Sequence, residues 1–239
     1  MNKSLIFIPG LVSDQRAWRE VEQNASAQGL STGIADLSES DSITEMAQTV
    51  LDQFEGQLIP VGHSMGGRVA MEMARLAPER VSGLVLVATG AHPLAEGEIE
   101  KREGVIALAN REGMQALCDQ WLPPMLAPAT RGANPALYRE LEQMVLDAGP
   151  ELHERQIRAL VARPDARSVL EGLTVPTLFV AGEYDEWSRP EQHHKMAASV
   201  KQAAVAVEEV AGAGHFLQAE APEVFRDLLL RWLARSELL

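Results

Sequence analysis

The sequence is short of cysteine and of basic residues. Its single cysteine, Cys118, has no second thiol for an internal disulfide or a zinc site, so we expect it to be a small buried hydrophobic residue. Lysine and arginine number 21 against 34 acidic residues, which gives a formal net charge of −13. Such a charge would repel a phosphate backbone, so the sequence predicts no nucleic-acid partner.

Long apolar runs are also missing. No stretch approaches the roughly 18 apolar residues that a membrane helix requires, and we predict no membrane contact. The first run, Leu5 to Ile8, is broken by Pro9-Gly10 and is too short for the core of a signal peptide. We therefore expect a cytoplasmic protein. With 239 residues, of which 46% are hydrophobic and 23% charged, the chain has the composition and length of one globular α/β domain.

Short apolar runs alternate with longer stretches of helical period, which is typical of a parallel sheet covered by helices on both faces. We predict an α/β fold with a mostly parallel sheet of about six strands. The predicted strands are residues 5–8, 32–35, 58–61, 84–87, 177–180 and 205–207. The predicted helices are residues 15–28, 43–54, 64–76, 190–200 and 222–235.

The alternation stops after residue 87 and resumes near residue 175. We predict a core domain of residues 1–90 and 174–239, with a helical insertion at 91–173. An insertion at the carboxyl edge of such a sheet would lie over the crevice where these sheets bind ligands, so we interpret it as a cap. Its helical spacing is carried by Leu137, Leu141, Met144 and Val145, and then by Ile157, Leu160 and Val161.

The most informative stretch is Gly62-His63-Ser64-Met65-Gly66, where a predicted strand runs into G-x-S-x-G and then into a helix. This is the nucleophile-elbow pattern, in which a sharp turn strains the serine backbone and leaves no room for a Cβ two residues to either side. Gly62 and Gly66 meet that requirement. The turn also places Ser64 at a helix N-terminus, where backbone N–H groups can stabilise an oxyanion.

A serine hydroxyl needs a base, and the base needs a carboxylate that orients it. Asp185 follows one predicted strand, and His215 follows the next. Along the chain the three residues occur in the order Ser, Asp, His, as in this elbow motif. We therefore predict Ser64 as nucleophile, His215 as general base and then acid, and Asp185 as the residue that orients His215.

Several other residues compete for these roles, and we expect each to be something simpler. His63 should point away from the serine hydroxyl and be structural. Glu183 and Glu186 are alternatives to Asp185, which has the better offset from its strand. We expect His193 and His194 to lie on an exposed helical face. His92 and His153 belong to the insertion, where a substrate contact is the alternative to the surface position that we expect.

These motifs resemble the α/β-hydrolase superfamily, in the branch of small bacterial esterases and related hydrolases with a helical cap. The resemblance covers nearly the whole chain and rests on three segments: Gly62 to Gly67, Gly182-x-x-Asp185 with Pro190 soon after, and Gly214-His215. It implies an oxyanion hole formed by the N–H groups of Met65 and Leu11. The chain departs from the pattern at Pro9-Gly10, where relatives usually carry His-Gly and the histidine braces the loop.

The triad alone does not select a substrate, since esters, lactones and activated carbon–carbon bonds can all be attacked at a carbonyl. Our leading prediction is a carboxylesterase that cleaves esters of small to medium, largely apolar acyl groups through an acyl-enzyme. The alternatives are a carbon–carbon bond hydrolase or lactonase with the same triad, and a small-molecule receptor with residual activity. We expect no cofactor, and no metal because no His/Asp/Glu cluster has ligand spacing.

The pocket is the least readable part of the sequence. By the resemblance, Trp187 borders it. Arginines either bind a substrate carboxylate or, as we expect, lie at the solvated surface: Arg68, Arg102, Arg111 and Arg131. Apolar residues of the insertion either line an acyl pocket or pack on the core: Leu117, Trp121, Leu122, Met125 and Leu126.

Overall fold

A computed structural model describes residues 3–239; residues 1 and 2 of the predicted core domain lie outside the described residues. Within them the chain forms one six-stranded sheet in which every neighbouring pair is parallel, so the predicted α/β fold is confirmed. The strands are β1 (Lys3–Ile8), β2 (Ser31–Ile34), β3 (Gln57–His63), β4 (Leu84–Val87), β5 (Thr177–Gly182) and β6 (Val205–Val210). All six were predicted, with ends that differ by a few residues.

Helices connect the strands. Those of the described residues are α1 (Arg19–Ala27), α2 (Ile43–Gln53), α3 (Met65–Leu76), α4 (Glu98–Trp121), α5 (Pro128–Ala133), α6 (Pro135–Val161), α7 (Arg167–Gly172), α8 (Pro190–Ser199), α9 (Leu217–Glu220) and α10 (Pro222–Arg235). No helix among them is both long and apolar enough to cross a membrane.

The inner strands β1, β3, β4 and β5 are buried on both faces because they are apolar at successive positions, whereas the edge strands β2 and β6 are only partly buried. In β1, Ile6 and Ile8 pack in one cluster with α2 and α3, while Leu5 and Phe7 pack in a second cluster with α1 and α10. Alternate residues of a strand point to opposite faces, so a continuous apolar run fills both layers. This packing explains why these strands were recognisable in the sequence.

Helix ends follow local chemistry. Ser42 caps α2, with its side-chain oxygen accepting from the Glu45 N–H at 3.1 Å, as a capping box requires. The carboxylate of Glu45 returns to the N–H of Asp41 at 2.8 Å, one residue before the cap. The single helix predicted at 15–28 is instead a 3₁₀ turn at Gln15–Ala17 followed by α1, because the side chain of Asp14 caps the turn at the N–H of Arg16.

The segment between β4 and β5 is helical, as predicted, and contains α4 to α7. The two long helices α4 and α6 pack against each other, and each bends at a glycine with positive φ: Gly113 (φ 87°) and Gly149 (φ 72°). Their apolar residues form a third cluster that includes Phe216, the neighbour of His215. The insertion therefore packs directly on the loop after β6. Its standing as a separate domain remains a prediction.

The strand order is β2-β1-β3-β4-β5-β6. The chain adds β2 on one side of β1 and then crosses to add β3 on the other side, so the order of addition reverses at β1. In open parallel sheets, ligands bind beyond the carboxyl ends of the strands at such a reversal. The loops after β1 and β3 meet there, and these loops carry Leu11 and Ser64.

Candidate active site

Ser64 lies in the turn between β3 and α3 with a positive φ of 53° and a ψ of −113°. A non-glycine residue holds such a conformation only where its surroundings enforce it. A Cβ on Gly62 would overlap the carbonyl of Gly66, and one on Gly66 would overlap the carbonyl of Ile8. The Ser64 N–H donates to the Val87 carbonyl at 2.9 Å. The elbow is thus a tightly packed crossing of β1, β3, β4 and α3.

The structure brings the three predicted residues into one hydrogen-bonded row. His215 Nε2 lies 3.0 Å from Ser64 Oγ, and His215 Nδ1 lies 2.8 Å from Asp185 Oδ2. With the proton on Nδ1, the imidazole donates to the carboxylate and accepts from the serine hydroxyl. Neither alternative carboxylate takes this place: Glu183 accepts from the Gly212 N–H, and Glu186 is exposed.

Asp185 is buried and held as an anion. Its Oδ1 accepts from the backbone N–H groups of Trp187 and Ser188, at 2.8 and 2.9 Å. Burial alone would raise its pKa, but the charge and hydrogen bond of His215 and these two amides together lower the pKa to about 2. The carboxylate is therefore available to orient His215 across the neutral pH range.

Glu220, which the sequence analysis did not single out, fixes the loop that carries His215. Its Oε1 accepts from the Gly214 N–H at 2.9 Å, and its Oε2 accepts from the Ala127 N–H at 2.8 Å and the Thr130 hydroxyl at 2.7 Å. Burial raises its pKa. The His215 N–H also donates to the Met125 carbonyl, at 2.7 Å. Residues 125–130 of the insertion and the His215 loop are thereby joined.

His63 is structural, as predicted. Its ring faces the loop after β6, where Nε2 donates to the His215 carbonyl at 2.9 Å, and it makes no hydrogen bond with Ser64 Oγ. Burial and the neighbouring charge of His215 lower its pKa to about 3, so the ring is neutral. His63 therefore supports His215 without competing for the serine proton.

The predicted oxyanion donors both lie beside Ser64. Leu11 and Met65 line the same cavity as the serine, and within residues 3–239 neither N–H donates to another protein group. The loop after β1, where the sequence carries Pro9-Gly10, is held by a buried glutamine. Gln156 of α6 accepts from the Val12 N–H at 2.7 Å. Sequence reasoning missed it because it comes from the insertion.

The cavity in front of Ser64 has a volume of about 400 Å³. Its apolar wall comes mostly from the insertion, and Trp187, whose surface is 59% exposed, is among the lining residues. Of the five apolar insertion residues considered above, Leu117, Trp121 and Met125 line the cavity, whereas Leu122 and Leu126 are buried in packing. A separate cavity of about 430 Å³ borders Asp185 but includes neither Ser64 nor His215.

Two histidines predicted at the surface are buried. His193 faces inward from α8, where its Nε2 accepts from the Thr89 N–H at 3.2 Å, so it supports the end of β4 next to Ser64. His153 is 1% exposed and lines the cavity, and burial lowers its pKa to about 4. The prediction of an exposed helical face was wrong for His193, and His153 has the cavity position that was the alternative to the surface. His194 and His92 are exposed, as expected.

The four arginines considered in the sequence analysis are also divided between the surface and the cavity wall. Arg111 and Arg131 are exposed, as expected, but Arg68 and Arg102 line the cavity, so the surface prediction was wrong for these two. Arg163, which the sequence analysis did not consider, also lines it. Cys118 is fully buried, as predicted, and burial raises the pKa of its thiol to about 11. Within the described residues, no group of three or more His, Cys, Asp or Glu side chains is arranged to hold a metal.

Comparison with known proteins supports the family resemblance drawn from the motifs. A model of the alpha/beta hydrolase family matches residues 5–228. The 2-succinyl-6-hydroxy-2,4-cyclohexadiene-1-carboxylate synthase of Salmonella agona (strain SL483) is 27% identical over 248 residues, covering 96% of this chain and 93% of that protein. A thermophilic esterase from Thermogutta terrifontis, solved with malate bound, has a TM-score of 0.89 at 25% identity, covering 99% of this chain and 90% of that one.

The fold is shared more widely. The enol-lactonase from Burkholderia xenovorans LB400 has a TM-score of 0.84 at 20% identity, covering 98% of this chain and 92% of that one. At that identity the likeness concerns the fold alone. The family match, in contrast, extends over nearly the whole chain and confirms the resemblance drawn from its motifs. The chain belongs to the alpha/beta hydrolase family.

Proposed function

We propose that this protein is a carboxylesterase, which hydrolyses esters of small to medium, largely apolar acyl groups through an acyl-enzyme on Ser64. The observation that carries the proposal is the row of two hydrogen bonds, 3.0 Å from Ser64 Oγ to His215 Nε2 and 2.8 Å from His215 Nδ1 to Asp185. A hydroxyl paired with a base that is itself held by a carboxylate is the arrangement that activates serine for attack on a carbonyl.

The steps follow from these contacts. Ser64 Oγ attacks the ester carbonyl while His215 Nε2 takes its proton, and the resulting oxyanion accepts from the N–H groups of Met65 and Leu11. The bond to the alcohol then breaks, and His215 returns the proton to the leaving oxygen. A water, deprotonated by His215, next attacks the acyl-enzyme. The acid leaves, and the proton goes back to Ser64.

Asp185 keeps the histidine in the tautomer that these steps need and stabilises the imidazolium that forms twice. The apolar wall formed by Leu117, Trp121 and Met125 suits an acyl chain, and the insertion acts as its cap. Trp187 would border the pocket. Action in the cytoplasm remains a prediction from the sequence.

The relatives favour one second candidate. One is named a 2-succinyl-6-hydroxy-2,4-cyclohexadiene-1-carboxylate synthase, and the fold, though no more than the fold, is shared with an enol-lactonase. A carbon–carbon bond or a lactone could be cleaved by the same serine, histidine and aspartate, since each reaction passes through a carbonyl. The substrate therefore distinguishes the candidates, and the triad does not.

The test is hydrolysis of p-nitrophenyl esters of increasing acyl length by the wild type, by Ser64→Ala and by Ser26→Ala. Ser26 is an exposed serine of α1 and serves as the matched control. We expect turnover by the wild type and the control, and none by Ser64→Ala although it remains folded. A fluorophosphonate should label Ser64 alone, as located by mass spectrometry of peptides. Equal turnover by Ser64→Ala would refute the mechanism, and no turnover by folded wild type would direct the search to lactones and carbon–carbon bonds.

A further inference from the structure

One part of the cavity wall is basic, although the whole chain is strongly acidic. Beside Ser64, the cavity is lined by Arg68, Lys101, Arg102 and Arg163, with Glu96 and Glu98 as the only acids among its lining residues. Cationic groups in a partly enclosed cleft focus the local field even when the net charge has the opposite sign. This wall is therefore a positive region in a protein of net charge −13.

Two of these cations are already paired. Arg163 donates to both carboxylate oxygens of Glu98, at 2.8 and 2.7 Å, and Arg102 donates to the same carboxylate at 2.8 Å. The hydrogen bond of Arg163, with that of Arg102, holds the pKa of Glu98 at about 2 against the opposing effect of burial. The carboxylate of Glu98 thus accepts hydrogen bonds from two guanidinium groups and from no third one.

Arg68 is that third guanidinium. It lies in the first turn of α3, four residues after Ser64, and both residues line the cavity. Its one hydrogen bond runs from Nη1 to the His92 carbonyl at 3.0 Å, and no carboxylate within residues 3–239 lies within 4.0 Å of it. Burial, followed by the charge of Arg163, lowers its pKa to about 9, so it remains charged at neutral pH.

Arg68 is partly buried, and a cation removed from water is costly unless it has a partner. Within residues 3–239 its remaining N–H donors have none. We propose that the substrate carries a carboxylate, apart from the scissile ester, that binds Arg68 on the cavity wall. The planar fork of a guanidinium matches a carboxylate through two parallel hydrogen bonds. This inference rests on the proposed ester hydrolysis and adds a charged group to an otherwise apolar substrate.

The test compares esters that differ only in that charge. On the acyl side, mono-p-nitrophenyl glutarate, adipate and pimelate are paired with p-nitrophenyl pentanoate, hexanoate and heptanoate. On the leaving-group side, p-carboxyphenyl hexanoate is paired with p-carbamoylphenyl hexanoate. We expect the wild type to prefer the carboxylate in at least one pair by about 10-fold or more in kcat/KM, the effect of a hydrogen bond to a charged group.

Arg68→Gln should remove at least nine-tenths of that preference, and Arg68→Lys should keep part of it. Arg111→Gln removes one positive charge from an exposed part of the insertion and should leave the preference unchanged. No preference in any pair, or a smaller loss in Arg68→Gln, overturns the inference. Circular dichroism checks that each variant is folded.

A second measurement needs no Arg68 variant and no turnover. Calorimetric titration of Ser64→Ala with pimelate should show binding that the matched diamide lacks and that weakens with added salt. Equal affinity for the two compounds would overturn the anion site. Loss of all ester hydrolysis with pimelate binding intact would instead refute the proposed carboxylesterase and leave the site standing.

Discussion

Glu220 offers a sharp test of how the structure holds His215 in place. Its carboxylate accepts three hydrogen bonds, from the Gly214 N–H, the Ala127 N–H and the Thr130 hydroxyl. Glu220→Gln replaces one of the two oxygens with an NH₂ group, which cannot accept. The amide keeps the most bonds when its oxygen faces Ala127 and Thr130, so the Gly214 N–H loses its acceptor.

A buried donor left without a partner costs about 1–3 kcal/mol. For a chain of this size, about 2 kcal/mol lowers Tm by roughly 4–8 °C. Glu220→Ala leaves all three donors unpaired and should lower Tm by at least twice as much. Because Gly214 precedes His215, its release displaces the imidazole from Ser64 Oγ. A misplacement of about 1 Å costs on the order of 10²-fold in rate, so we expect kcat to fall by about 10- to 100-fold in Glu220→Ala.

The assay is hydrolysis of a p-nitrophenyl ester, with kcat and KM measured separately, beside thermal unfolding followed by circular dichroism. We expect the loss to appear in kcat, since none of the three groups bonded to Glu220 belongs to the apolar wall formed by Leu117, Trp121 and Met125. The matched control is Glu223→Gln, which makes the same charge change at an exposed position in the first turn of α10. If Glu220→Ala kept kcat within twofold of wild type at an unchanged Tm, the reasoning would be refuted.

Three further predictions concern the triad, the elbow and pH. Asp185→Asn should lower kcat by up to about 10⁴-fold with little change in folding, because the amide no longer fixes the His215 tautomer; near-normal turnover would contradict its role. Gly62→Ala should cost about 1–3 kcal/mol or more in urea unfolding, since its Cβ would overlap the Gly66 carbonyl, whereas Gly104→Ala, with open space in α4, should not destabilise the protein. His153 has its pKa lowered from 6.5 to about 4, so its stabilising contribution is complete above pH 6.5 and is lost as pH falls toward 4. Between pH 7 and pH 5, the free energy of unfolding should therefore fall by about 2 kcal/mol less in His153→Gln than in the wild type. An equal fall in both proteins would contradict the buried, neutral state of His153.

The sequence predicted the inner strands β1, β3, β4 and β5 well because each contains an apolar run. Ser64, Asp185 and His215 could be placed at strand ends for the same reason, since parallel strands bring their carboxyl ends to one edge. The serine elbow added an independent signal, because Gly62 and Gly66 are needed for close packing that the structure contains.

What escaped prediction depends on contacts between distant segments. His193 and His153 lie in helical sequences whose inward face was not identified, because the partner surface comes from another part of the chain. Glu220 belongs to no recognisable sequence motif, and only the folded chain shows that it accepts from Gly214 and Ala127. Gln156 belongs to the insertion and supports a loop that is 144 residues away in sequence. No local pattern encodes such a pairing.

The hydrogen bond between Gln156 and Val12 limits how this enzyme scaffold can be redesigned. In a modular view, the insertion could be exchanged between relatives to change substrate range while the core keeps its chemistry. Here a side chain of α6 bonds to Val12, whose neighbour Leu11 lines the cavity together with Ser64. A chimera that replaces Pro135–Val161 without restoring this acceptor would alter the core's own reactivity, so recognition and catalysis must be exchanged together.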